Sequence, residues 1–105
     1  MTTEIYAIGD VQQGVIIHGR AGRITDGVEQ RDSGYRHGSL GASTFIIRYD
    51  RLLFPGLWNL DKMHPEFAEY VRGSGMREGD VLIIAGSDDR TIARYSAVSV
   101  ALELL

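Results

Sequence analysis

Val81-Leu82-Ile83-Ile84-Ala85 carries the strongest strand signal in this chain. Every position in the run is apolar, which is typical of a strand that other structure covers on both faces. Turn-forming residues bound it, with Gly79-Asp80 before and Gly86-Ser87 after. The pattern therefore predicts the innermost strand of a sheet.

Further strands are predicted upstream of this run. Thr3–Ile8, Val15–His18 and Ser43–Leu53 are rich in β-branched and aromatic residues. Pro55-Gly56 is a strong turn pair, so it marks the end of the third of these segments.

A terminal strand is predicted downstream. From Val98 to Leu104, apolar residues alternate with small or polar ones, which is the period of two that strands show. One or two strands are therefore expected over Thr91–Leu105. Leu102 is expected to face a core, and Glu103 to lie on the opposite face.

One short helix is predicted over residues 65–72. Pro65 stands at its first position and Gly73 just past its end, where each residue type is favoured. Glu66 in the first turn and Arg72 in the last both complement the helix dipole.

These elements define the expected fold class. Five or six short strands with one short helix indicate a mainly β protein, a small barrel or sandwich. With 105 residues, the chain is expected to form a single domain spanning 1–105.

A long loop or arm is expected over residues 19–42. Six glycines interrupt this segment and arginines lie between them, so the pattern predicts neither a helix nor a long strand. Two interpretations stay open, a solvated flexible loop and an arm that becomes ordered against a neighbouring subunit. The second makes this segment an interface, with these candidate residues: Arg20, Arg23, Arg31, Tyr35 and Arg36.

A second candidate interface is the apolar stretch from Leu52 to Leu60. Phe54 and Trp58 flank its Pro-Gly turn and are either core residues or interface anchors. Arginine accounts for ten of the eleven basic residues. That bias favours an interface, or it reflects a GC-rich genome.

Several function classes are disfavoured by composition and motif. The chain has no cysteine, and its histidines stand at no metal-ligand spacing. No nucleophile elbow or phosphate-binding motif occurs, so we predict no enzyme activity, no cofactor and no evident small-molecule ligand. The net charge of −3 argues against specific nucleic-acid binding. Short apolar runs and the absence of a signal peptide pattern disfavour membrane insertion and secretion.

The C-terminal half resembles the head–tail joining proteins of tailed phages. The resemblance rests on Ile47-Arg48-Tyr49-Asp50, then Met76 to Ile84, then Ile92 to Val98 and a terminal apolar segment. It implies a small β-barrel that assembles as a homo-oligomer with other virion proteins, located in the virion or the bacterial cytoplasm. The resemblance is compatible with a component of the joining ring, of the tail or of the capsid decoration.

Two alternatives belong to other function classes. One is a small inhibitor or adaptor that binds a host protein. The other is an enzyme whose site is dispersed in sequence, which would gather His18, His37 or His64 with acidic residues in a deep polar cleft.

Overall fold

The fold is built on one antiparallel sheet that has helices on both faces. The computed structural model describes residues 9–55 and 58–105, and the strand predicted over Thr3–Ile8 lies outside that range. In chain order the elements are β1 (Val11–Ile17), a 3-10 turn (Ala21–Arg23), α1 (Val28–Arg36), β2 (Gly41–Arg48), β3 (Arg51–Phe54), β4 (Trp58–Asn59), α2 (Leu60–Met63), α3 (Pro65–Gly73), β5 (Val81–Ser87) and α4 (Arg90–Leu102).

The five strands lie in the order β1-β5-β2-β3-β4. Val81 in β5 pairs with Ile17 of β1 on one side and with Ile46 of β2 on the other. All seven residues of β5 are buried, so the predicted innermost strand is confirmed and extends to Ser87.

Alternate residues of the central strands supply two separate cores, as the pleat requires. One core lies under α2 and α3 and includes Phe45, Leu82, Ile84, Leu60 and Phe67. The other lies under the opposite face and includes Ile46, Val81, Ile83, Val100 and Leu104. The two helical layers are therefore α2 with α3 on one face, and α1 with α4 on the other.

The fold class differs from the mainly β prediction. The sheet is open, and about 40% of the described residues are helical against 29% in strands, so the protein is mixed α and β. The strands predicted over Val15–His18, Ser43–Leu53 and Val81–Ala85 and the helix at 65–72 are present, whereas the barrel or sandwich and the C-terminal strand are not. No helix in the described residues is both long and apolar enough to span a bilayer.

The segment 19–42 is not an irregular loop. It holds the 3-10 turn, the nine-residue helix α1 and the first residues of β2. Gly34 lies within α1 because the helix packs close to β2. A Cβ atom there would lie 2.7 Å from the Cβ of Ala42, closer than real contacts allow.

The C-terminal segment is the helix α4 and not a strand. The Asp89 carboxylate caps it by accepting the backbone N–H groups of Thr91 and Ile92 at 2.8 and 3.2 Å. Its inward face is lined by small residues and a valine, namely Ala93, Ser96, Ala97, Val100 and Ala101. Leu102 is 60% exposed, contrary to the prediction that it faces a core.

The long strand predicted over Ser43–Leu53 is two strands joined by a tight hairpin. Tyr49 and Asp50 form the turn with φ of 57° and 60°, the left-handed values that two-residue hairpins require. Both backbone N–H groups donate to the Glu78 carboxylate, at 3.0 and 2.7 Å. That anchor holds two non-glycine residues in a backbone region they rarely adopt.

Candidate ligand-binding cleft

A cleft of about 390 Å³ opens between α3 and the β1 edge of the sheet. This volume falls in the lower part of the range of small-molecule sites. Its lining is mostly apolar with a few polar groups, and it consists of Gln12, Gln13, Gly14, Ile16, Phe67, Tyr70, Val71, Ser74, Leu82 and Ile84.

The floor of the cleft is the sheet face formed by β1 and β5. Gly14 pairs with Ile84, and Ile16 pairs with Leu82. Gly14 supplies no side chain at the centre of this floor, which leaves space above the strand. A Cβ atom at Gly14 would lie 3.4 Å from Leu82 Cδ1, so the backbone tolerates a side chain that would occupy the cleft.

Gln12 is the polar group that distinguishes this cleft from a simple packing defect. Gln12 lies two residues before Gly14 on β1, so its side chain is on the same face of the sheet. Its Oε1 atom is buried and accepts no hydrogen bond from any described residue. An unpaired buried acceptor costs about 1–3 kcal/mol, and a ligand donor would remove that cost.

The roof of the cleft is α3. Phe67 and Val71 are buried against the sheet, while Tyr70 at the rim is 56% exposed. Phe67 packs on Phe45 of β2, with ring centroids 5.4 Å apart. These contacts fix one side of the helix, and the side toward β1 is left open.

An ion pair anchors this roof from outside the cleft. Both terminal guanidinium nitrogens of Arg72, Nη1 and Nη2, in the last turn of α3, donate to the Asp61 carboxylate. Leu52 of β3 also donates its backbone N–H to Asp61 at 2.7 Å. The hydrogen bond from Arg72 is the main cause that holds the pKa of Asp61 below its usual value.

The arginines and the tyrosine of the predicted interface lie around the 3-10 turn and α1. Arg20 is half-buried, and its Nε has no acceptor among the described residues. Arg23 lies in the 3-10 turn, and Arg31 pairs with its neighbour Asp32. Tyr35 and Arg36 end α1, where Tyr35 is 52% exposed.

Phe54 and Trp58 lie on the other face of the sheet. They contact each other edge to face at 5.7 Å, and both pack against the core beneath α3. The structure therefore does not bring them together with the arginines of α1 and the 3-10 turn. Their placement favours the core interpretation for this pair.

The three histidines lie in different parts of the fold. His18 Nδ1 lies 2.8 Å from Asp80, which is 6% exposed, while the imidazole itself is 75% exposed. His37 contacts the backbone of Ser33 in α1, and His64 lies near the ring of Trp58. Among residues 9–55 and 58–105, no three histidine or acidic side chains approach closely enough to hold a metal ion.

The Asp80 carboxylate links the residues that follow β1 to the residues that precede β5. Burial raises the pKa of its carboxyl group, but hydrogen bonds from the Arg77 N–H, His18 and the Gly19 N–H outweigh this effect and lower it overall. The His18–Asp80 pair thus stabilises a loop junction, and it lies outside the cleft beneath α3.

Sequence reasoning missed the cleft because no motif marks it. Gln12 stands before the strand predicted over Val15–His18, and Tyr70 and Val71 lie within the helix predicted over residues 65–72. The one available signal was Gly14, which interrupts a run of strand-forming residues.

Comparisons with known proteins establish the family and the fold. Residues 8–104 match a family described as "Domain of unknown function (DUF4443)", and the chain belongs to it. No curated protein matches the chain. The fold is similar to that of hypothetical protein PH0730 from Pyrococcus horikoshii OT3, with a TM-score of 0.70 and 23% sequence identity.

That likeness covers 89% of this chain and 49% of the Pyrococcus protein, so this chain spans about half the length of the structure it matches. At this level of identity, the likeness shows the fold alone. Neither match is to a phage head–tail joining protein, and the virion role remains a prediction.

Proposed function

We propose that this member of the DUF4443 family is a ligand-binding module whose cleft takes a small, largely apolar molecule that carries one hydrogen-bond donor. The observation that carries the proposal is the buried, unpaired Oε1 of Gln12 in a mostly apolar cleft of about 390 Å³. The proposal concerns binding and includes no catalytic step.

The walls of the cleft favour a flat molecule. Ile16, Leu82 and Ile84 rise from the sheet, and α3 faces them with Phe67 and Val71. Aliphatic and aromatic walls contribute burial of apolar area, at about 25 cal/mol per Å². The unpaired acceptor at Gln12 contributes orientation, because a wrongly placed ligand leaves it unpaired.

Indole is a suitable probe, since it is flat, apolar and carries one N–H group. We expect it to shift the amide resonances of Gln12, Gly14 and Val71 in a two-dimensional NMR titration. 1-Methylindole has nearly the same shape and no donor, and it should bind about 5- to 10-fold more weakly, which is the effect of one hydrogen bond.

A matched variant separates the donor effect from general hydrophobicity. Gln12→Met keeps the length of the side chain and removes the acceptor, so the two probes should then bind equally. Retained discrimination in Gln12→Met would contradict the role of Gln12, and resonance shifts confined to other surfaces would contradict the cleft itself.

Self-association is a second candidate function, and it rests on the outward face of α4. Tyr95, Val98 and Leu102 are 59%, 42% and 60% exposed and point away from the sheet. Their spacing of three and then four residues is the one by which two like helices interlock. A second copy of this chain, related by a two-fold axis, presents the same stripe.

If the protein has the predicted virion role, we expect its copies to assemble through this stripe. The interface would then be α4, and not the segment 19–42. A host-protein adaptor would use the stripe without forming homo-oligomers, so the mass of the purified chain in solution distinguishes these two alternatives.

A further inference from the structure

A polar recess lies on the opposite face of the sheet from the cleft. It occupies about 320 Å³ between the 3-10 turn, α1 and the residues that follow α4. Its lining shares no residue with the cleft, and its charged members are Arg23, Glu29, Asp32, Arg36 and Glu103.

Gln30 is the largely buried polar residue in the lining of this recess. Its side chain lines the recess and the residue is only 7% exposed. No described residue donates a hydrogen bond to its amide or accepts one from it. The buried Ser33 in the same helix does have a partner, because its Oγ donates to Glu103 Oε1 at 2.5 Å. The amide atoms are not among the enclosed unpaired atoms of the described residues, so they can be reached from the recess and are available to a ligand.

The charges around Gln30 are opposite in sign and do not neutralise one another. Neither Arg23 nor Arg36 forms an ion pair with an aspartate or glutamate of the described residues. Arg23 is 3.4 Å from the backbone oxygen of Leu105. Glu29 likewise forms no ion pair or side-chain hydrogen bond with any residue that the structure describes. The recess therefore offers cationic and anionic groups that are both available.

We propose that the recess binds a free α-amino acid. The guanidinium groups of Arg23 and Arg36 would hold its carboxylate, and Glu29 its ammonium group, while the Gln30 amide bonds to either. A purely anionic ligand would lie against unpaired carboxylates, and a purely cationic one against unpaired guanidinium groups. Only a zwitterion complements both signs at once.

The test is an NMR titration of the purified chain with each of the standard L-amino acids in turn. We expect at least one to shift the amide resonances of Gln30, Arg36 and Glu103 in a saturable manner. For that amino acid, the N-acetyl derivative lacks the ammonium group and the corresponding amine lacks the carboxylate. Each should bind at least about 10-fold more weakly, since it loses a charged contact.

Two variants test which charged side chains hold the amino acid, and two further variants serve as controls. Arg36→Gln and Glu29→Gln should each weaken binding about 5-fold or more, the effect of one charge-assisted hydrogen bond. Arg94→Gln and Glu66→Gln change exposed charges outside the recess and should leave the affinity unchanged. If no amino acid shifts these resonances at about 10 mM, or if the N-acetyl form binds equally well, the proposal is wrong. Neither result bears on indole binding in the cleft, so the two sites are tested separately.

Discussion

The Asp61 carboxylate and the Arg72 guanidinium form a two-point ion pair that ties α2 to the last turn of α3. Arg72 also donates to the backbone oxygen of Asp50 in the β2–β3 turn, at 3.1 Å. This arrangement fixes the end of α3 to the sheet at a point outside the cleft. The roof of the cleft is thus held in place while its inner surface stays free for a ligand.

Asp61→Asn should lower the free energy of unfolding by about 1 kcal/mol. The pair is about one-third exposed, which limits its contribution, but the charged acceptor of two guanidinium N–H groups is lost. Urea unfolding of the two proteins measures the effect. Glu69→Gln on the exposed side of α3 is the control and should change stability by less than about 0.5 kcal/mol.

Stability should fall in acid, and Asp80 should account for part of the loss. Its folded pKa is lowered, so its stabilising effect is complete above the unfolded pKa of about 3.9 and disappears as the pH falls through the lower folded value. Asp80→Asn should therefore cost about 2 kcal/mol near pH 6, and its cost should decrease as the pH falls below the unfolded pKa. An equal cost above and below that pKa would show that the carboxylate charge is not what stabilises the junction.

Gln12→Met should stabilise the unliganded protein by about 1 kcal/mol, because it replaces an unpaired buried acceptor with an apolar side chain of similar length. Thermal unfolding without ligand measures this change. Gln13→Met on the neighbouring residue removes a hydrogen bond that Gln13 makes to the Gly14 carbonyl oxygen, and it should not stabilise. A loss of stability in Gln12→Met would indicate that Gln12 has a partner in the free protein.

A terminal strand would make Leu102→Asp more destabilising than Glu103→Lys. The helix α4 predicts the reverse. Leu102 faces solvent on α4, so its replacement should cost below about 1 kcal/mol. Glu103→Lys leaves the buried Ser33 hydroxyl group without its acceptor and should cost about 1–2 kcal/mol. Urea unfolding gives both values.

The same Leu102→Asp variant tests self-association. If the α4 stripe joins two copies, the mass by light scattering should fall from dimer to monomer while the fold is retained. A mass unaffected by Leu102→Asp would remove α4 as the interface.

The strand β5 and the helix α3 could be predicted because local pattern and final environment agree there. In α4 they do not. The apolar residues from Val98 to Leu104 have a period of two. Ala97, Val100, Ala101 and Leu104 are also spaced so that a helix buries all four of them on the side that faces the sheet. The capping role of Asp89 could have favoured the helix, yet an Asp-Asp pair also suits a turn.

The helix α1 was missed for a different reason. Its residues are mostly polar, and Gly34 in its interior is usually unfavourable in a helix. Close packing on Ala42 is what makes glycine suitable at that position, and a contact so distant in sequence leaves no local signal. The cleft and the recess depend on such contacts throughout, so neither could be predicted.

The central claim is that the cleft under α3 is a binding site, and Gly14→Val tests it most directly. Valine suits the strand and would place its side chain in the cleft, whereas Gly22→Val has no heavy atom within 4 Å of its Cβ and lies on the other face. Both folded variants are titrated with indole by NMR. The account predicts saturable binding in the wild type and in Gly22→Val, and none in Gly14→Val. Unchanged indole binding in a folded Gly14→Val protein would contradict it.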